Sequence, residues 1–295
     1  MNWIIIVIIA YLLNAFATVV GKFLLTQENP HPTVYAFYIN VLGLLGLVLI
    51  PFGFQMVSGL QIAIAMLAGL IFTFAILYMF GALSQNEVSR IAPFIGGLQP
   101  IFILALAWFF LDEKLNPQAI LGFGIVLSGT ILISWSKGKA NRKSYVMALI
   151  ATILFAISYT ISKYTFIEQG FITGFVWSRV GAFIGALFFI IWPSQRKIIF
   201  KEVKDPKTST GGLFVLGQMS GAISAVLVYY AISISSSVAI VSATRGLEYI
   251  FLLVMTVQLS KKVPKILKEK MTTKILTQKT IAIILIILGL IIIAI

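Results

Sequence analysis

Residues 86–135 read NEVSRIAPFIGGLQPIFILALAWFFLDEKLNPQAILGFGIVLSGTILISW. Two apolar runs flank a short charged hinge, Asp112-Glu113-Lys114, followed by Asn116-Pro117. Each run, roughly 19 to 25 residues, is long enough to cross a hydrocarbon core of about 30 Å as an α-helix. A hinge this short holds only a turn, so the two helices are expected to be antiparallel neighbours. Pro93, Gly96, Gly97 and Pro100 predict a break in the first helix. Lipid cannot satisfy backbone groups freed by such a break, so they are expected to face other helices or a wet cavity. In the second helix Gly122, Gly124, Ser128 and Gly129 permit close helix packing.

The rest of the chain has the same character. Its 295 residues are 60% hydrophobic and 11% charged, with a mean hydropathy of +1.04. A soluble domain carries about 25% charged residues. That deficit predicts an all-α polytopic membrane protein, with no polar stretch long enough for a soluble domain. The net charge of +13, from 22 basic and 9 acidic residues, would on a soluble protein suggest nucleic acid. Here most of the Lys and Arg lie in three loops, which argues for the charge bias of cytoplasmic loops and against nucleic acid. There are no cysteines, hence no disulfide and no Cys metal site. Met1-Asn2-Trp3 lacks a basic leader and a cleavage signal, so the start reads as a retained helix.

Ten hydrophobic segments can be placed, at 3–25, 33–54, 61–84, 87–111, 117–135, 144–167, 171–192, 211–233, 237–260 and 280–295. The basic loops 136–143, 193–210 and 261–279 follow the fifth, seventh and ninth segments and so share one side. The positive-inside rule makes that side cytoplasmic. Both termini are then expected outside the cell, in a plasma-membrane protein.

The chain also repeats itself, a feature sought early because it decides architecture. Val88–Phe102 aligns with Val238–Leu252, an offset of 238 − 88 = 150, with Gly96 on Gly246. Gln118 falls on Gln278 and Gly129 on Gly289, an offset of 160; Lys22 falls on Lys163, an offset of 141. The expected halves are 1–137 and 144–295, joined by a basic linker at 138–143. Five helices per half force opposite orientations, the inverted-repeat plan of many secondary transporters, with a site near the midplane.

With these residues in view, the chain resembles the EamA-type, ten-helix members of the drug/metabolite transporter superfamily. The resemblance rests on R-I-A-P-x-x-x-G-L-Q-P-I-F-x-x-x-L-A-W-x-F-L-D-E-K-L from Arg90, then Gln118, Gly122 and Gly129, and a lysine late in the first and sixth segments. It covers the whole chain, and Leu111-Asp112-Glu113-Lys114-Leu115 is its sharpest element. Two features depart from it. The second half has Lys261-Lys262-Val263-Pro264 and an insertion in place of that turn, and Asn40 stands where the seventh segment, and commonly the family, has arginine (Arg179). The resemblance implies movement of small polar metabolites, amino acids, drugs or sugar derivatives, without naming one.

An ionisable group at the bilayer centre costs about 2.5–3.5 kcal/mol on insertion scales, so each one needs a reason. Asn14, Thr18 and Lys22 share one helix face, as do Tyr159 and Lys163, with Phe155 replacing the Asn. They line a path, or the lysines snorkel to the helix ends. Arg179, near Trp177, either binds a carboxylate or phosphate through its planar fork or anchors a neighbouring helix. Arg245 and Glu248, three apart, either form an intrahelical pair or line a cavity. At matching depth the fourth segment offers Ile95, Leu98 and Gln99, without charge. Tyr78, Tyr229 and Tyr230 either stack on a solute or pack. Glu87 and Arg90 read as a solvated helix start and His31 as a loop residue. The expected lining set is Asn14, Tyr78, Gln99, Tyr159, Trp177, Arg179, Arg245 and Glu248.

Motifs for zinc proteases, serine hydrolases and phosphate-binding loops are absent. No enzyme, cofactor or metal is therefore expected, and transport would be driven by a gradient or by exchange. The expected partners are a small polar organic solute and the lipid bilayer. Oligomeric state stays open, a homodimer included. A lipid-linked sugar flippase is the close alternative. An intramembrane enzyme is more distant, since it needs paired deep carboxylates or a His cluster and only Glu248 is a candidate. A purely structural membrane protein fits least with the charged ninth segment.

Overall fold

A computed structural model describes residues 2–25, 31–85, 88–134, 141–202, 211–260 and 273–294. Among them the secondary structure is helical, with no strand. Helix α1 is Asn2–Leu25, α2 Pro32–Gly43, α3 Gly59–Leu83, α4 Val88–Phe110, α5 Pro117–Ser134 and α6 Arg142–Gln169. Then come α7 Phe171–Ile191, α8 Pro193–Glu202, α9 Gly211–Ile234, α10 Val238–Ala243, α11 Gly246–Ser260 and α12 Thr273–Ala294. A 3₁₀ stretch, Leu44–Phe52, continues α2.

Six of these elements are long and apolar enough to cross a membrane: α1, α2 with its 3₁₀ extension, α3, α6, α7 and α9. Shorter apolar stretches lie in α4, α5 and α12. The chain is thus a multi-pass membrane protein.

The structure corrects five local expectations. Helix α4 runs unbroken through Pro100; proline removes one backbone hydrogen bond, a loss that packing against neighbouring helices makes tolerable in a membrane helix. The ninth segment is the one that breaks: α10 stops at Ala243, and α11 starts at Gly246 after a turn at Thr244-Arg245. The second segment tightens to 3₁₀ from Leu44, where Gly46 abuts Phe175 and Arg179 of α7. Part of the 193–210 loop is helix α8, which buries Ile199 while Arg196 and Lys197 stay exposed. His31 is also more than a loop residue, since its ring accepts a hydrogen bond from the Thr33 N–H and caps α2. Residues 135–140, 203–210 and 261–272, which hold most of the basic loops, lie outside the described residues, as do Glu87 and the side chains of Lys22, Arg90 and Pro93.

Close backbone approach organises the packing. Helices α5 and α12 meet through a reciprocal seam. The Gln118 side-chain amide donates to the Ile292 carbonyl at 3.0 Å, and that of Gln278 donates to the Leu132 carbonyl at 2.7 Å. A Cβ on Gly129 would sit 2.8 Å from the Ala282 carbonyl oxygen, and one on Gly289 would sit 2.8 Å from that of Gly122. Each end of one helix thus bonds the opposite end of the other, so the two run antiparallel. Two further pairs match: α3 packs on α6 and α1 on α9, each tied by serines. Ser158 donates to the Ala68 carbonyl (2.8 Å) and Ser144 to that of Ala82 (2.9 Å), while Ser224 donates to Ala10 (2.7 Å) and Ser220 to Leu13 (2.9 Å). Such bonds hold helices together where lipid offers no hydrophobic gradient.

The two ends of the bundle differ. One gathers the 53–58 segment, the 111–116 turn, Gly170 and residues 235–237. It is sealed by bonds from the Gln55 N–H to Thr173 (3.0 Å) and from Gln169 to the Gln61 carbonyl (3.1 Å). At the other end, beside His31, Ser84 and Gln85, lies a cavity of about 710 Å³.

The seam yields a test. Gly289→Ala drives a methyl into backbone and should destabilise the protein by about 1–3 kcal/mol. Gly124→Ala, with nothing within 4 Å of its Cβ position, should leave thermal unfolding in detergent unchanged or slightly raised. Equal melting temperatures for the two variants would contradict the seam.

Candidate functional site

The α10–α11 break positions the charges. The Thr244 N–H still closes α10 on the Ile240 carbonyl (3.2 Å), and the Leu247 N–H opens α11 on the Thr244 carbonyl (2.9 Å). Arg245 falls in the gap and Glu248 in the first turn of α11, where the helix N-terminus favours a carboxylate. Their ion pair is long, 3.9 Å from Nε to Oε2. Arg245 Nη1 donates to Gln99 Oε1 of α4 at 3.0 Å. Glu248 Oε1 accepts from the Thr18 hydroxyl of α1 at 3.3 Å, with the Asn14 side chain also beside the carboxylate. The Arg245 side chain is 28% accessible although its partners are buried, which leaves room beside the guanidinium.

Gly96 and Gly97 make this approach possible. A Cβ on Gly96 would meet the Tyr249 hydroxyl at 2.7 Å and Arg245 Cδ at 3.7 Å; one on Gly97 would meet Ile131 at 3.0 Å. Both glycines are buried against protein. The Tyr249 hydroxyl donates to the Ala92 carbonyl at 3.0 Å, which fixes α11 to α4.

Tyrosines link this cluster to a second one. Tyr11 and Tyr159 lie within electrostatic range of Arg245. The Tyr159 ring stands edge-on to Tyr229, with centroids 5.4 Å apart. Tyr229 in turn covers Arg179, whose guanidinium carbon lies 5.0 Å from that ring, 4.9 Å from Phe175 and 5.2 Å from Phe72. Asn14, Gln99, Tyr159, Arg179, Arg245 and Glu248 therefore belong to one connected interior.

Two expected residues stand elsewhere. Trp177 is about 200° around α7 from Arg179 on a helix of 3.6 residues per turn; its ring faces Phe54 at 6.0 Å. Tyr78 lines the 710 Å³ cavity with Thr33, Gly81 and Met147. Thr18 was legible on the Asn14 face, and Tyr229 as an intramembrane phenol. Tyr11, Tyr249, Phe72 and Phe175 carried no signal that set them apart from packing residues.

Lys163 corrects the snorkelling alternative. It is 5% exposed, and Nζ donates to the carbonyls of Ile232 (3.0 Å), Ser233 (3.3 Å) and Ser235 (2.6 Å) at the C-terminus of α9. A cation there meets unpaired carbonyls and the negative end of the helix dipole. Three residues on, the Val238 N–H at the start of α10 donates to both Glu113 carboxylate oxygens, at 3.3 and 3.4 Å. Burial pushes the Glu113 carboxyl above the usual range, and the Ser237 hydroxyl, the Val238 N–H and Lys163 pull it back. The charged turn is therefore a clamp: Glu113 begins one helix, Lys163 ends the one before it, and the two face each other. Asp112 enables the turn with φ +50 and pairs in solvent with Lys114 at 3.0 Å.

The clamp predicts coupling. Lys163→Met should cost about 1–3 kcal/mol by stranding buried carbonyls. In Glu113→Gln background the same change should cost less, since no carboxylate is left unpaired. Additive losses of melting temperature would show that the two groups act independently.

No curated protein matches the chain. One solved crystal structure of a protein superposes with a TM-score of 0.66 at 16% sequence identity, covering 99% of this chain and 96% of that one. At that identity the likeness establishes the fold alone. The first part of the chain is more specific. EamA-like proteins are transporters rather than enzymes. Residues 1–135 match the EamA-like transporter family, a match consistent with the drug/metabolite transporter superfamily.

Proposed function

We propose that the protein is a secondary transporter of a small polar organic solute, driven by a gradient or by exchange. The observation that carries this reading is the Arg245–Gln99–Glu248 cluster, assembled at a helix break from α1, α4 and α11. Charges are tolerated in membrane helices where they pair or border a wet space, and such positions mark solute pathways. Interrupted helices at the midplane are the usual source of such sites.

The proposed architecture is ten crossings in two inverted halves, 1–137 and 144–295, with 138–143 between them. The reciprocal α5–α12 seam supports it, because Gln118 and Gln278, and Gly129 and Gly289, are pairs that the internal repeat equates. The matched α3–α6 and α1–α9 pairs point the same way, and the family match ends at the proposed first boundary. The basic loops are proposed to be cytoplasmic in the plasma membrane, with both termini outside. The cavity holding Tyr78 then becomes a cytoplasmic vestibule, and the clamp of Glu113 and Lys163 closes the outer end. Asn14, Gln99, Tyr159, Arg179, Arg245 and Glu248 border the path, with Trp177 in the wall beside Phe54.

Uptake into proteoliposomes containing the purified full chain tests the reading. Glu248→Gln should abolish gradient-driven uptake and leave exchange intact, if the carboxylate carries the coupling proton. Near-normal uptake per folded molecule, with lower thermal stability, would instead confine Glu248 to neutralising Arg245. A complete lack of solute movement, with flipping of a lipid-linked sugar, would replace the reading with the flippase alternative.

A further inference from the structure

Among the described residues three cations stand in the helical interior, and two of them have a carboxylate. Lys163 faces Glu113, and Arg245 faces Glu248. Arg179 has no acidic partner among the described residues, although it is only 6% exposed and sits in the middle of α7. Rings flank its charge: Phe72, Phe175 and Tyr229 lie 4.9–5.2 Å from the guanidinium carbon. Rings attract the charge through their faces but do not accept its N–H groups in line. Nε and Nη2 are both buried without a hydrogen-bond partner among the described residues, and so is the hydroxyl of Tyr229 against it.

These two nitrogens are significant together. The Nε–H and one Nη2–H point the same way from one edge of the guanidinium plane. They form the side-on fork that matches the two oxygens of a carboxylate. Buried donors without acceptors are rare and need an account, and an unpaired buried cation is costlier still. The Tyr229 hydroxyl lies against the guanidinium without a bond of good geometry, and among the described residues no carboxylate supplies a counter-charge.

We propose that the Arg179 fork is an anion subsite for the carboxylate of a small organic acid, bound side-on through Nε–H and Nη2–H. Phe72, Phe175 and Tyr229 exclude water from the pair, and the Tyr229 hydroxyl is a further donor beside it. The Tyr229–Tyr159 edge contact joins this subsite to Arg245 and Glu248. The substrate class of the transport site becomes an organic acid, with its charged end at Arg179. The inference rests on the transport reading only for the route by which the acid arrives.

Thermal unfolding of the full chain in detergent, titrated with benzoate and with benzamide, tests the subsite directly. Benzoate should raise the melting temperature of the wild type, and benzamide, of the same shape without the charge, should not. Arg179→Lys keeps a cation for the aromatic walls but loses the fork, and should weaken benzoate at least about tenfold. Tyr229→Phe leaves the walls intact and should weaken benzoate a few-fold. Equal shifts from benzoate and benzamide, no shift from benzoate or acetate, or benzoate affinity indifferent to both variants would each overturn the proposal. Proteoliposome uptake separates the two readings. Benzoate binding that obeys Arg179→Lys without any solute uptake removes the transport reading and keeps the subsite. Uptake of a solute at a rate indifferent to Arg179→Lys removes the subsite and keeps transport.

Discussion

The structure depends on one constraint: inside a membrane, a polar group or charge must be answered by protein. The last carbonyls of helix α9 are met by Lys163 from α6. The next helix begins at once, and its first free N–H is met by Glu113 from the α4–α5 turn. Each group satisfies a helix end that lipid would leave unpaired. The same two groups face one another, so the penalty for burying each charge is shared. Helices α4, α6, α9 and α10 are thereby fixed to one another at a single point, and the helix break that carries Arg245 hangs from it.

Small residues set how near the helices come; polar residues set where they stop. At the α5–α12 seam glycine lets backbone meet backbone, and two glutamine amides then close the register. At α4, Gly96 makes room for Tyr249 and Arg245, and Gln99 then holds the guanidinium. At α3 and α7, glycine brings the backbones together, and Arg179 lies among Phe72, Phe175 and Tyr229 nearby. The interior accordingly carries two cationic places joined by a pair of tyrosine rings. One has its carboxylate built in; the other has none among the described residues.

The difference between the two ends of the bundle bears on how such a protein could work. The end with the charged turn is closed by backbone and side-chain bonds, whereas the other end keeps a cavity of about 710 Å³. The second segment tightens into a 3₁₀ stretch beside Arg179, while α7 stays a regular helix. A mid-segment 3₁₀ turn is a common place for a hinge.

Composition and hydropathy by themselves determined a multi-pass helical membrane protein, because burying so few charges among so many apolar residues leaves no other class. The motif around Leu111–Leu115 pointed to the family, and the polar residues within apolar runs named most of the connected interior. Helix spacing alone shows that Trp177 and Arg179 diverge, since positions two apart face away from each other. Only the tertiary structure decided the rest. Pro100 and the glycines of α4 signalled a break, yet the break lies at Thr244-Arg245, because the α4 glycines serve close contact and the gap serves a charge. Lys163 read as a residue reaching for water, yet it is buried, because the carbonyls that hold it come from a helix some seventy residues away. Which carboxylate answers which cation, and that Arg179 has none among the described residues, are relations between segments distant in sequence. Local pattern records the cost of a buried charge but not the identity of its partner.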